Sequence, residues 1–301
     1  MGTADAGAGE LTDLAAEVAA LDEAAGDRVR AAVAAFRAPI RVQTAGRAGV
    51  GRSTVAAALT ADGIDGAVVE ESDAVDVPGA PDPMLDGDVV VYILVEAVRD
   101  ADRDAVRNLD PAQALFVLNK ADTLGASRVP ADAWATATAR AAECSEEGGL
   151  PALPLIGTHA SAGTSSKSGI SESGISESGI GAVSAAVADR VARARAHRGE
   201  ILLNTLRSQA ARSLASRDVL ERYLAGDHAV ALGAAAARLH LADCIADEPE
   251  PPRTAADAGR CADWWRAQLA RQPTARRRRA VVDIRRHYVR VGRQLSGSPG
   301  T

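Results

Sequence analysis

Gly46-Arg-Ala-Gly-Val-Gly-Arg-Ser53 is a glycine-spaced octapeptide whose residue types suit a phosphate group. It fits G-x-x-x-x-G-K-[ST] at every position but one, where Arg52 stands in place of lysine. Gly46, Gly49 and Gly51 let backbone N–H groups turn inward on either side of Val50, and a helix beginning at Arg52 adds the positive end of its dipole. Ser53 offers a hydroxyl to Mg²⁺, with Thr54 next to it. Arg52 keeps a cation near the phosphates, although guanidinium is a broad fork and ammonium a compact point charge. The same turn also serves as a plain strand-to-helix connection.

Two further segments follow in order. In Asp76-Val-Pro-Gly79 an acid at a strand end suits a water-mediated Mg²⁺ contact, and the Gly79 N–H suits a γ-phosphate. Arg52, Asp76 and Gly79 are therefore the candidate catalytic groups, with Ser53 and Asp76 on the metal. Asp-x-Pro-Gly is equally a turn sequence. Asn119-Lys120-Ala-Asp122 ends an apolar run, where an α/β sheet presents its ligands. A carboxylate at Asp122 accepts two hydrogen bonds from the N1–H and 2-amino edge of guanine, a pattern adenine lacks. Lys120 and Lys167 are the only lysines among 34 basic residues, so a lysine inside this tetrapeptide stands out from an arginine background.

The elements that must position these residues follow from hydrophobic periodicity. Leu11, Leu14, Val18, Leu21, Val29, Val33 and Phe36 predict an N-terminal amphipathic helix over 1–38 that relaxes near Gly26. Strands are predicted at 40–45, 67–69, 74–77, 89–95, 114–118 and 153–156, alternating with helices at 52–59, 101–109 and 131–142. The unbroken apolar run Val89–Val95 is what a sheet buried on both faces requires. The expected fold class is α/β, a mostly parallel sheet with flanking helices over 39–198, followed by an α-helical region over 199–301. Within the first, Ser-Gly-Ile-Ser-Glu repeats over 161–181 and predicts a flexible surface loop. Helices are expected at 182–198, 200–226, 228–246, 254–271 and 275–295.

From Ile40 to about His159 the chain resembles the translation-factor-related class of P-loop GTPases, within it the dynamin-like and Era-like branches. The likeness is best over Asp86–Gly125, where an acid, a valine run, a charged helix and a strand ending in Asn-Lys-Ala-Asp keep the family's order. The resemblance implies GTP or GDP with Mg²⁺ as ligands and hydrolysis as the activity. It places Gly157-Thr158-His159 at the base-contacting loop, with Ala160-Ser161 as the alternative. A helix before the sheet and several after it also resemble the dynamin-type arrangement. Four departures accompany it: Arg52; a short segment before Asp76; no threonine placed as a second Mg²⁺ ligand; and Ala80 where many members carry a water-positioning glutamine. Slow hydrolysis, or a non-hydrolysing scaffold, follows from these. Ala48–Thr54 also resembles the ParA/MinD group of ATPases. That group lacks Asn-Lys-x-Asp and has a signature lysine where Arg47 stands.

Composition sets the remaining bounds. Hydrophobic content is 47% and charged content 25%, values typical of a globular protein. The longest apolar run is far short of a membrane helix and the N-terminus carries no secretion signal, so the expected location is cytoplasmic, with peripheral membrane association open. Cys144, Cys244 and Cys261 fit no disulfide or zinc spacing and are read as buried thiols. Residues 266–295 hold ten arginines and one acid, against a net charge of −6 for the whole. Val281, Ile284, Tyr288, Val291 and Leu295 step along one face there, making a basic amphipathic helix. Its expected docking place is the acidic remainder of the chain. A protein partner or an anionic membrane surface is the alternative, and nucleic acid is not the expected partner. Trp264 and Trp265 are expected to anchor the same helical bundle.

Overall fold

A computed structural model describes residues 3–124, 130–157, 178–245 and 247–297. Contacts divide the chain into a sheet unit, Pro39–Ala194, and a helical unit formed by Met1–Ala38 with Arg195–Thr301.

The sheet unit has five strands: β1 (Ile40–Gly46), β2 (Ala67–Glu71), β3 (Val89–Leu94), β4 (Ala114–Leu118) and β5 (Ala152–Pro154). They lie in the order β2-β1-β3-β4-β5, and every pair is parallel. The expected α/β sheet is therefore present. Every residue of β3 and β4 is buried, as their continuous apolar sequences require, and alternate residues feed two cores. On one face Val42, Val89, Val91, Ile93, Leu115 and Val117 pack with Val55 and Leu59 of α3 (Arg52–Asp62). Val183, Val187 and Val191 of α6 (Ile180–Arg212) join them. On the other face Val90, Tyr92, Leu94, Phe116 and Leu118 pack with Val106 of α4 (Asp100–Val106) and with Ala141 and Cys144 of α5 (Pro130–Gly148). Each fully buried aliphatic side chain contributes roughly 1.5–3 kcal/mol. The expected strand at 74–77 is reduced to a single bridge, Arg47 to Val75, because Asp76 adopts a left-handed φ of +61° that stops the ladder.

The helical unit opens with two helices rather than one relaxed helix. Thr3–Leu21 (α1) and Glu23–Arg37 (α2) part at Asp22, whose side chain accepts from the Ala25 N–H at 3.0 Å. Gly26 has another role. A Cβ there would lie 2.4 Å from the Ala19 Cα, so the glycine lets α2 approach α1 closely.

Farther on, α6 runs through Gly199 without the expected break. The chain turns instead at 213–216, before α7 (Arg217–Ala225) and α8 (Asp227–Leu239). After α9 (Ala255–Gln268), Ala280, Val281, Ile284 and Tyr288 of α10 (Ala275–Gly297) are buried with Cys261, Trp265 and Leu241. Trp264 meets Trp265 edge-on, with 5.1 Å between centroids. Leu295, expected on that apolar face, is exposed near the helix end, as is Cys244 after α8.

Most of the Ser/Gly-rich segment, and with it Thr158, His159 and Ala160-Ser161, lies outside the described residues. Its end is structured. Ile180 opens α6, and the Ser178 carbonyl accepts from the Ile156 N–H at 2.9 Å, which corrects the expected loop over 178–181. Among the described residues no helix is long and apolar enough to cross a membrane.

Candidate functional site

The glycine loop joins the centre of the sheet to α3. Gly46 ends β1 with φ +143°, and a Cβ on it would stand 2.6 Å from the Ile93 carbonyl of β3. Gly49 (φ +79°) and Gly51 (φ +93°) both take positive φ, conformations that cost other residues. Between them Val50 turns inward and is buried in the core, holding the loop down like a peg. Gly51 is the N-cap of α3 and offers no side chain. The first N–H groups of α3 have no carbonyl within the helix to bond, which is the arrangement that receives anions.

Asn119 ties this loop to two others. Its side chain is 3% exposed. Nδ2 donates to the Val50 carbonyl at 2.9 Å, and Oδ1 accepts from the Gly157 N–H at 3.1 Å. Its backbone N–H donates to Leu94 at 2.9 Å. A Cβ at Gly51 would meet Nδ2 at 2.4 Å and one at Gly157 would meet Oδ1 at 2.9 Å and Thr54 Cγ2 at 3.2 Å. Lys120 takes a left-handed φ of +58°, and its ammonium donates to the Gly49 carbonyl at 3.1 Å. Asp122 sits in the short 3-10 turn Ala121–Thr123 with its side chain in solvent. The sequence-predicted Gly46, Gly49, Val50, Gly51, Asn119 and Lys120 are thus brought together at the C-terminal ends of β1 and β4.

Arg52 and Ser53 share one acid that the sequence reading missed. Ser53 Oγ donates to Glu71 Oε1 at 3.1 Å, and Arg52 Nη2 lies 3.7 Å from the same oxygen. Arg52 Nη1 donates to the Ser72 carbonyl. Asp76 is brought beside the loop by the Val75 N–H, which donates to the Gly46 carbonyl at 3.1 Å. Its own N–H is taken by Asp82 Oδ1 at 2.8 Å, and its side chain is exposed. Gly79, with φ +81°, is exposed too. Spacing alone marked Asp76; only the parallel register of β2 against β1, Thr44 opposite Glu71, puts Glu71 at Ser53.

A second network underlies the loop. Arg47 Nε donates to Asp102 Oδ1 at 3.0 Å, and Tyr92 Oη donates to the same oxygen at 2.9 Å. Asp102 Oδ2 accepts from the Arg99 N–H at 2.9 Å, and Asp102 is fully buried. Burial first, then the charge of Asp102, pushes the Tyr92 phenol far above its usual range, so it acts as a donor. An arginine in a variable position of the loop and an acid in the first turn of α4 gave no sequence signal of their pairing.

The helical unit holds a separate open groove of about 540 Å³ between α9 and α10, lined by Ala255, Gly259, Ala262, Tyr288, Gly292 and Arg293. It gathers no cluster of catalytic side chains, and the chemistry-bearing residues remain those of the sheet unit.

No protein-family model matches the chain, and no curated protein matches it. Solved structures similar to it include two of bacterial dynamins, both at low identity. One is LeoA, a bacterial dynamin GTPase from ETEC, with 16% identity and a TM-score of 0.41 over 87% of this chain. The chain spans 55% of that protein's length. The other is described as an oligomerised bacterial dynamin pair with a mechanism for long-range sensing and tethering of membranes. It shows 12% identity and a TM-score of 0.40, over 97% of this chain and 74% of that one.

Proposed function

We propose that the chain binds guanine nucleotide with Mg²⁺ at the glycine loop and hydrolyses GTP slowly, its binding state acting as a switch. The observation that carries this reading is Asn119. A single buried side chain fixes the glycine loop, the turn carrying Asp122 and the segment entering Thr158-His159. A phosphate cradle and a guanine-specific carboxylate on one framework suit a guanine nucleotide. In that reading the N–H groups of loop and helix hold the phosphates, and Asp122 reads the base. The donor set fits the metal, since a hydroxyl and carboxylates are the hard oxygen ligands Mg²⁺ takes. Bound there, it would offset charge on the phosphates.

A titration with GTP, GDP and ATP in Mg²⁺ tests the reading. Asp122→Ala should lose most guanine preference, about ten- to a hundredfold, because a charged hydrogen bond contributes roughly 1.5–3 kcal/mol. A wild type that binds ATP as tightly as GTP would sink it. A second reading, a non-hydrolysing scaffold, is favoured by the contacts of Arg52 and by Ala80 after Gly79. Steady-state phosphate release, with binding measured on the same sample, separates the two. The ATPase reading is disfavoured because Arg47, at its signature position, is committed to buried Asp102.

The proposed division of labour places nucleotide chemistry in 39–198 and partner binding in 199–301. Arg285, Arg286 and Arg293 are exposed on α10 with Val282 between turns, a surface suited to a protein partner or to anionic lipid at the cytoplasmic face of a membrane.

A further inference from the structure

We propose that Glu71, at the C-terminal end of β2, is a ligand of the divalent cation that accompanies the nucleotide, acting beside Ser53. The inference rests on the nucleotide reading above and assigns to that site a residue that the motif spacing does not indicate.

Ser53 Oγ and Glu71 Oε1 stand 3.1 Å apart. Mg²⁺ holds oxygens in near-octahedral geometry at about 2.0–2.1 Å, which places adjacent ligands about 3 Å from each other. The two oxygens therefore already have the separation of neighbouring ligands. Turning the Ser53 proton away converts the donor into a ligand without moving the backbone. Glu71 is held where it is by the sheet: it pairs with Thr44, and the next residue, Ser72, donates to the Thr44 carbonyl at 2.9 Å. Its side chain is about one-third exposed, which leaves room for the waters that Mg²⁺ retains. Asp76, the acid suggested by spacing, follows later in the chain, at a kink where its N–H is bound to Asp82.

The electrostatics give the assignment a sign. A carboxylate beside Ser53 faces any phosphate in the loop as a like charge. Without a divalent cation Glu71 must oppose binding; with one between them it becomes part of the attraction. Arg52 reaches the same oxygen only at 3.7 Å and makes its closer contact with Ser72. A cation arriving at the pair thus displaces a long, partly exposed ion pair.

The test is a titration of fluorescent GTP and GDP into the full chain, wild type and Glu71→Gln, with chelator and with excess Mg²⁺. Glutamine keeps the shape and the edge-strand position, and a thermal melt verifies the fold. In chelator, Glu71→Gln should bind GTP more tightly than wild type. In Mg²⁺ the order should reverse, so that the tightening caused by Mg²⁺ is at least about tenfold smaller in the variant (about 1.4 kcal/mol). Glu71→Asp, with the charge on a shorter arm, should fall between them. Equal Mg²⁺ dependence in wild type and Glu71→Gln overturns the assignment, whether affinity rises in both conditions or in neither. If wild type binds no guanine nucleotide, the nucleotide reading falls first and this inference with it.

Discussion

Asn119→Ala would leave two buried backbone groups, the Val50 carbonyl and the Gly157 N–H, without the partners they now have. An unsatisfied buried group costs about 1–3 kcal/mol. The variant should therefore be less stable in urea by about that much and bind nucleotide more weakly even when folded, since the loop loses its tether. Arg52→Lys should raise nucleotide affinity or turnover, because a compact ammonium fits a phosphate cradle better than a guanidinium that now reaches to Ser72. Unchanged binding in both Arg52→Lys and Arg52→Ala would mean that the glycine loop is only a turn. At this scale the sequence was a partial guide. The glycines and Asn119–Asp122 were legible because their spacing is local. Glu71 and Asp102 were not, because their roles arise from contacts across 18 and 55 residues of chain, set by strand register and not by any nearby pattern.

Gly26→Ala is the corresponding test for the helices. A methyl group there would meet the Ala19 Cα and Cβ at 2.4 Å and the Ala19 nitrogen at 2.9 Å, all but one of them backbone atoms that cannot swing aside. The gain in helix propensity, about 1 kcal/mol, should be outweighed. Overpacking costs about 1–3 kcal/mol, so thermal unfolding should come at lower temperature, and Gly9→Ala, at a helical site with open space around it, serves as the control. Elements were legible where periodicity was long and one-sided. The apolar runs of β3 and β4 announced strands buried on both faces, and the stripe of α10 announced its buried side. Boundaries were less so. Gly199 suggested a break but lies inside α6, where a Cβ would make only ordinary contacts with Phe36 and Leu232, so the helix runs through it. One helix over 1–38, loosened near Gly26, was expected; a break falls instead at Asp22, because its capping carboxylate ends one helix and starts the next. The short strand at 74–77 could not persist once Asp76 took positive φ.

Across the whole chain, charge and protonation are distributed unevenly. The basic segment 266–295 is partly answered within its own unit: Arg277 pairs with Asp243 and Arg290 with Asp227. Those surface pairs contribute little individually, so salt should shift stability only modestly. Histidine gives the clearer pH response. Burial lowers the pKa of His228 below 6.5, with Glu10 opposing and Arg37 assisting. Burial and Arg238 lower that of His287. Both bind protons more readily unfolded than folded, so this contribution is complete above pH 6.5 and declines as pH falls below it. Asp22, Asp227 and Asp257 have pKa values lowered from 3.8, so they stay ionised while the histidines titrate. Melting temperature should drop between about pH 6.5 and 5, and His228→Gln should flatten that slope. The buried carboxylate under the glycine loop has a different consequence. Asp102, fully buried, clamps Arg47, Tyr92 and the Arg99 N–H together. The loop therefore cannot lift without stranding a charge in the interior. Local opening of such a segment requires much of the free energy of unfolding the unit. The buried Val75 amide, bonded to the Gly46 carbonyl of the loop at 3.1 Å, should thus exchange slowly with deuterium, and Asp102→Asn should speed that exchange.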